Sequence, residues 1–184
     1  MSGKLKIIGG QWRSRIIQFE DAPGLRPTPA RLRETLFNWL QLDVPGSDCL
    51  DLFAGSGALG FEAASRGARS VMMVESNPKT VEWLRRGQTQ LQATNITVKS
   101  QKAEDFLQES RELKFDLVFM DPPFALDLAS SLCQRLVASE KLASGAKIYI
   151  ETSKQQSLDN LPKNWKLIKQ SKAGDVVCYL YQNA

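Results

Sequence analysis

Three stretches of this sequence carry residues that can do chemistry. The first is Asp51-Leu52-Phe53-Ala54-Gly55-Ser56-Gly57-Ala58-Leu59-Gly60. Its glycines lie between a short apolar run ending at Phe53 and a segment with Ala58, Leu59, Ala63 and Ala64 at helical spacing, which Gly67 stops. A strand-to-helix turn free of side chains lets backbone N–H groups approach a ligand at the positive end of a helix. The second is Glu75, 20 residues beyond Gly55, where a carboxylate can accept from ribose hydroxyls. The third is Asp121-Pro122-Pro123-Phe124, directly after the apolar run Phe115–Met120. Two prolines stiffen the backbone and remove donors, so the Pro122 carbonyl and the Asp121 carboxylate form an acceptor pair for one NH₂ group. Phe124 adds a ring on which a planar base can stack.

Two cofactors suit the glycine turn. Gly55-x-Gly57-x-x-Gly60 matches a dinucleotide fingerprint. With an acid in front, Asp51-x-Phe53-x-Gly55-x-Gly57 resembles the S-adenosylmethionine (SAM) turn of class I methyltransferases, in which that acid faces the methionine ammonium group. Asp51 would repel a pyrophosphate and attract a cation, which favours SAM. The candidate cofactor contacts are Asp51, Phe53, Ala54, Gly55, Ser56, Gly57, Glu75 and Ser76.

The acceptor pair suits methylation of an exocyclic amine. Such a nitrogen is a poor nucleophile because its lone pair is delocalised into the base. Two hydrogen bonds accepted from its protons favour a tetrahedral nitrogen aligned with the methyl donor, so catalysis rests on positioning and electrostatics. The candidate catalytic residues are Asp121, Pro122, Pro123 and Phe124. The chain contains no histidine, which removes Ser-His-Asp and Cys-His nucleophilic machinery and most zinc sites, and no metal is expected.

These stretches must be positioned by a regular frame. Val71–Val74, Ile96–Val98, Phe115–Met120 and Lys147–Ile150 read as buried strands, separated by helices that begin at Asn77-Pro78, at Ala103 and before Leu128. The alternation predicts an α/β fold with a doubly wound, mostly parallel, Rossmann-like sheet and ligands at the strands' C-terminal ends. Trp165–Lys169 and Val176–Tyr181 break the alternation and predict a C-terminal antiparallel hairpin. At the other end, Leu5–Ile8 and Trp12–Phe19 read as a hairpin turning at Gly9-Gly10. Thr28-Pro29 starts a helix to about residue 42. Residues 1–44 are therefore expected to form a small hairpin-and-helix extension, and residues 45–184 the cofactor-binding domain.

The 184 residues are 42% hydrophobic, and no apolar run reaches the roughly 20 residues of a membrane span. The N-terminus lacks the apolar core of a signal peptide. Cys49, Cys133 and Cys178 are expected as buried free thiols, so a cytoplasmic protein without membrane contact is expected, with a monomer as the default. The net charge of +4 is uneven, because residues 1–33 hold seven basic residues against two acidic ones. A basic segment on a near-neutral body suggests a polyanionic partner.

The chain resembles the RsmD family, bacterial methyltransferases of guanine N2 in 16S ribosomal RNA. The likeness runs through Ile7-Ile8-Gly9-Gly10-Gln11-Trp12-Arg13, Gly24-Leu25-Arg26-Pro27-Thr28, Arg31–Leu40, the glycine turn, Asp121–Phe124 and Ile148-Tyr149-Ile150-Glu151. The glycine turn and Asp-Pro-Pro-Phe are shared with many amino methyltransferases; the N-terminal stretches narrow the match. The resemblance implies that SAM is held by Asp51, Gly55, Gly57 and Glu75, and the target amine by Asp121 to Phe124. It also implies that Arg26, Thr28, Arg31 and Glu34 close the cofactor pocket or reach RNA. The implied substrate is guanine 966 of 16S rRNA in the small ribosomal subunit or an assembly intermediate. One departure stands out. Many relatives carry Asp or Asn where this chain has Lys102, and lysine cannot accept from the adenine amine. Adenine recognition then falls to the Ala103 backbone or to Asp105.

For RNA, Lys4, Lys6, Arg13, Arg15, Arg26 and Arg31 are the candidate phosphate contacts. The alternatives are a DNA amino methyltransferase, for which the chain has no room for a target-recognition domain, and a non-catalytic RNA-binding assembly protein with this fold. Intact Asp51, Glu75 and Asp121 speak against the latter, and an NAD-binding module is weakened by Asp51 and the terminal hairpin.

Overall fold

A computed structural model describes residues 2–20, 29–109, 112–122, 129–156 and 158–184. A two-stranded N-terminal hairpin, β1 (Ser2–Lys6) and β2 (Ile16–Glu20), leads to α1 (Ala30–Trp39). The main body follows in the order β3 (Asp48–Asp51), α2 (Ala58–Ser65), β4 (Ser70–Glu75), α3 (Pro78–Leu91), β5 (Ile96–Ser100), α4 (Ala103–Gln108), β6 (Phe115–Met120), α5 (Ala129–Ala138), β7 (Leu142–Ser153), β8 (Trp165–Ala173) and β9 (Val176–Asn183). Seven strands form one sheet in the order β5-β4-β3-β6-β7-β9-β8. The five from β5 to β7 are parallel, and β9 runs antiparallel between β7 and β8. The α/β sheet with a terminal antiparallel hairpin is as the alternation predicted.

Strand β3 sits at the centre of the five parallel strands with both faces covered, which is why its sequence reads as continuous burial rather than alternation. Cys49 faces a core shared with α1, α2, α3 and the N-terminal hairpin. Leu50 and Leu52 face the other core, with α4 and α5. The result is three layers, with the sheet between two helical layers. All three cysteines are buried free thiols, and no helix among the described residues is long and apolar enough to cross a membrane.

Helix α2 is buried along its whole length. A helix covered all round needs a second layer outside it, and the N-terminal segment supplies one. Here the structure corrects the hairpin. Lys6 pairs with Ile16, so residues 7–15 form the connection and Gly9-Gly10 is not a two-residue turn. The Gly10 φ of +76° and its approach to α2 explain the glycine, since a Cβ there would lie 1.9 Å from the Ser65 carbonyl oxygen. Trp12 is buried by the same docking, and its N–H donates to Ser65 Oγ at 3.0 Å. Arg13 and Arg15 lie in this connection instead of on a strand face.

Three boundaries also differ. Helix α1 ends at Trp39, three residues short of expectation, with turns through residues 41–46. Its expected cap, Thr28, lies outside the described residues, and Pro29 occupies the N-cap position. Strand β7 begins at Leu142, ahead of the apolar run at Lys147, with a register shift in its pairing to β6. The Ser144-Gly145 step hid that first half from an apolar-run search.

Candidate active site

The sheet brings the three chemical stretches to one edge. Asp51 ends β3, Glu75 ends β4, and Asp121 follows the last residue of β6. Because β3 lies between β4 and β6, the glycine turn has a carboxylate-bearing strand end on either side.

The turn itself is held by its own backbone. Gly55 and Gly57 adopt φ of +49° and +76°, which side-chain-bearing residues adopt only at a cost. Gly57 N–H donates to the Ala54 carbonyl at 2.7 Å, and Ala54 N–H to the Val74 carbonyl at 2.9 Å, tying the turn to β4. A Cβ on Gly57 would meet Phe61 at 2.4 Å and Leu84 at 2.8 Å. Ala54 and Ser56 are buried in the cradle, and Phe53 is half-buried.

Asp51 is buried beneath the turn, and its Oδ2 accepts the Gly60 N–H at 2.9 Å. Gly60 must lack a side chain for this approach, because a Cβ there would lie 2.4 Å from Met73 and 3.1 Å from Asp51 Oδ2. Burial pushes the Asp51 carboxyl up to about 7; the Gly60 N–H bond opposes the rise, and the charges of Glu75 and Glu151 add to it. Asp51 is thus a carboxylate at the first turn of α2 in a site already rich in negative charge, poised for a cation.

Glu75 is half-buried and spans two loops. Its Oε2 accepts the Gly55 N–H at 3.0 Å and its Oε1 the Asn77 N–H at 2.7 Å. Asn77 in turn caps α3, accepting the Lys79 N–H at 3.0 Å. Two backbone donors fix the carboxylate yet leave acceptor capacity for hydroxyls. Ser76 is exposed beside it. Beyond β5, the Gln101 N–H donates to the Glu75 carbonyl at 3.0 Å, drawing Lys102 and Ala103 to the same edge. Ala103 is buried at the start of α4, whereas Lys102 is exposed and makes no side-chain cap. Gln101 Nε2 is buried without a partner among the described residues, a group that sequence reasoning passed over.

Asp121 is half-buried and Pro122 buried at the end of β6. Pro123, Phe124, Arg26 and Thr28 lie outside the described residues. On β7, Tyr149 Oη donates to Glu151 Oε1 at 2.8 Å, and both side chains are buried. Met120 pairs with Ile150, so Asp121 and Glu151 stand at one level of neighbouring strands. Burial, with the Glu151 charge next, holds the Tyr149 hydroxyl well above the usual tyrosine range, so it stays a donor. This pair was quoted as part of a family stretch and given no role. A glutamate directly after the buried Ile148-Tyr149-Ile150 run was its signal.

The basic candidates are dispersed. Lys4 and Lys6 are exposed on β1, Arg13 and Arg15 are exposed on the docked connection, and Arg31 is exposed on α1. The hairpin packs along α3, where Gln90 Nε2 donates to the Ile16 carbonyl at 3.0 Å. Arg33 is buried, and its guanidinium donates to the Lys6 carbonyl at 2.8 Å. Among the described residues no group of His, Cys, Asp and Glu side chains is arranged to hold a metal ion.

Comparison with known proteins places this geometry in a family. The family described as Conserved hypothetical protein 95 matches residues 5–182. Ribosomal RNA small subunit methyltransferase D of Escherichia coli strain K12 is 42% identical over 181 residues, covering 98% of this chain and 91% of the relative. The protein of the same name from Haemophilus influenzae is 42% identical over 184 residues, covering 98% and 95%. The solved structure of yhhF from Escherichia coli matches with a TM-score of 0.92 at 39% identity, over 98% of each chain. The chain is a member of the RsmD family of methyltransferases.

Proposed function

We propose that this enzyme transfers a methyl group from SAM to the N2 amine of one guanine in 16S rRNA, guanine 966, in the small ribosomal subunit or an assembly intermediate. The observation that carries the reading is the juxtaposition of Asp121-Pro122 with the Asp51–Glu75 cradle at one sheet edge. The names of the relatives, small-subunit ribosomal RNA methyltransferases, support the substrate class.

The residues present fit SAM. A buried carboxylate whose proton affinity is raised gains from a cationic partner, and Asp51 is such a group. Glu75 suits the ribose hydroxyls, the side-chain-free Gly55 and Gly57 leave room for close approach, and Ala103 lies where the adenine edge is expected. When bound, SAM supplies a methyl group on a cationic sulfur.

The chain's own part is to position the amine. The Asp121 carboxylate and the Pro122 carbonyl each accept one proton of the guanine NH₂, which reduces delocalisation of the nitrogen lone pair and aims it at the methyl donor. The guanine must leave its stack to reach a pocket at the sheet edge, so a loop or junction is favoured over a continuous duplex. Once methylated, the nitrogen is cationic and loses its proton readily.

The test is tritium transfer from labelled SAM to small subunits of a strain lacking this gene, followed by nucleoside digestion. Label in N2-methylguanosine, abolished by Asp121→Ala, is the expected result. Label in another base would keep the chemistry and refute the guanine assignment. Absence of label despite measured SAM binding would refute the substrate.

A further inference from the structure

The C-terminal edge strand carries basic charge that the site just described does not use. In β8, residues 166–170 are consecutively exposed, and Lys166, Lys169 and Lys172 project from a strand that pairs with no further strand among the described residues. Lys163 precedes them, and no acidic residue occurs between positions 160 and 174. Leu167 and Ile168, 45% and 37% exposed, lie between the lysines at a register shift in the pairing with β9. At the opposite edge of the sheet the charges balance: Lys99 on β5 and Lys102 before α4 stand against Glu104 and Asp105 in its first turn. A polyanion approaching the sheet therefore meets net positive charge along β8 and no such excess at the β5 edge.

The register places the Lys169–Lys172 end of this basic edge at the level of Asp121. Glu151 on β7 pairs with Cys178 on β9, which pairs with Ser171 on β8. Asp121 stands at the Glu151 level, since Met120 pairs with Ile150. Three strand spacings of about 4.8 Å then put Ser171 roughly 14 Å from Asp121 across the sheet. Lys169 and Lys172 lie two and one residues from Ser171, whereas Lys166 pairs with Gln182, opposite Lys147, and so stands at the Leu117 level, extending the basic line toward the other end of the strands. A strand of RNA that delivers one base to Asp121 has its neighbouring phosphates at that scale of distance, within a nucleotide or two.

We propose that β8, through Lys166, Lys169 and Lys172, holds the phosphates of the RNA strand flanking the base presented to Asp121. The proposal rests on the RNA methyltransferase reading above and adds a second contact surface, at the other end of the sheet from the N-terminal hairpin. A competing role exists for edge lysines, which commonly prevent edge-to-edge association of sheets. The two roles differ in what they predict for RNA.

The experiment compares the parent enzyme with Lys166→Gln/Lys169→Gln/Lys172→Gln, a matching triple Lys→Arg variant and the three single Lys→Gln variants. Methylation of small subunits is measured across a salt series, with SAM titration and sedimentation as controls. Three lost contacts to a single strand reduce the log–log salt slope by about 2, and each single substitution by about 0.7. The expected result is that slope change with a raised KM for subunits, unchanged kcat and SAM affinity, and recovery in the arginine variant. A triple glutamine variant that sediments as the parent and keeps its KM and salt slope overturns the proposal. If that variant associates with itself, the single variants decide: unchanged slopes in all three overturn it. A parent enzyme that leaves subunits unlabelled refutes the small-subunit substrate on which the proposal rests, which separates the two failures.

Discussion

Gly9 donates its backbone N–H to Glu62 Oε1 at 2.7 Å, across 53 residues of sequence. The same carboxylate accepts the Ile8 N–H at 2.9 Å and Arg66 Nε at 2.8 Å, and Glu62 is 1% exposed. Helix α2 thus has its N-terminus in the glycine turn and its middle fastened to the N-terminal segment. Ser65 completes the fastening, with its Oγ donating to the Gly9 carbonyl at 2.6 Å.

Glu62→Ala should therefore act on the whole fold. It strands two backbone donors and leaves Arg66 without its carboxylate, with buried Arg33 nearby. Breaking a buried charged network of this kind costs roughly 3 kcal/mol or more. Urea unfolding should report that loss; a change below about 1 kcal/mol would mean that packing alone holds the segment.

The Asp51 carboxyl gives the cofactor site a pH dependence. Its folded pKa of about 7 lies above the unfolded carboxylate value, so without ligand its contribution to stability is fully present at acid pH and is lost as pH rises toward 7. A cationic cofactor prefers the ionised form, so SAM affinity moves the opposite way. Between pH 8 and pH 6 the dissociation constant should rise by about tenfold, because ionisation must then accompany binding. Calorimetric titration across that range in buffers of different ionisation enthalpy checks both the affinity and the proton released. A flat profile would mean that Asp51 is already ionised at pH 6.

Much of this arrangement was legible in sequence because it is local. A glycine turn between an apolar run and a helix, a carboxylate 20 residues on, and an Asp-Pro-Pro after a strand each announce themselves within a few residues. What was missed depends on long-range contacts. Gly9-Gly10 looked like a hairpin turn because glycine pairs usually are; its actual requirement, contact with Ser65, comes from a helix far along the chain. The role of Glu62 is equally invisible locally, since helical periodicity does not show that a second layer covers the outside of α2. The place of Lys172 on β8 is not legible either, because strand register, which sets its distance from Asp121, is not written in composition.

Gly60→Ala tests how closely α2 must approach β3. The added methyl would lie 2.4 Å from Met73 and 3.1 Å from Asp51 Oδ2. Met73 is flexible, but the carboxylate is held by the Gly60 N–H itself, so relief requires the turn to open. SAM affinity should fall by at least about tenfold with a stability loss of about 1–3 kcal/mol. Retained SAM affinity in this variant would show that the cradle tolerates displacement of α2.

Glu151→Gln probes the electrostatics of the site without touching the residues assigned to SAM. The negative charge of Glu151 raises the Asp51 pKa, in addition to the larger effect of burial. Removing that charge should therefore lower the Asp51 midpoint, and the pH at which SAM binding weakens should move toward acid. The amide still accepts the Tyr149 hydroxyl, so the variant keeps the 2.8 Å contact that locks the two side chains together. Tyr149→Phe has the reverse character: it keeps the charge and removes the donor. That exchange should cost about 1–3 kcal/mol of stability as a buried acceptor loses its partner, while the binding midpoint changes little. If the midpoint stays in place in Glu151→Gln and moves in Tyr149→Phe, the coupling between Asp51 and β7 runs through packing and not through charge.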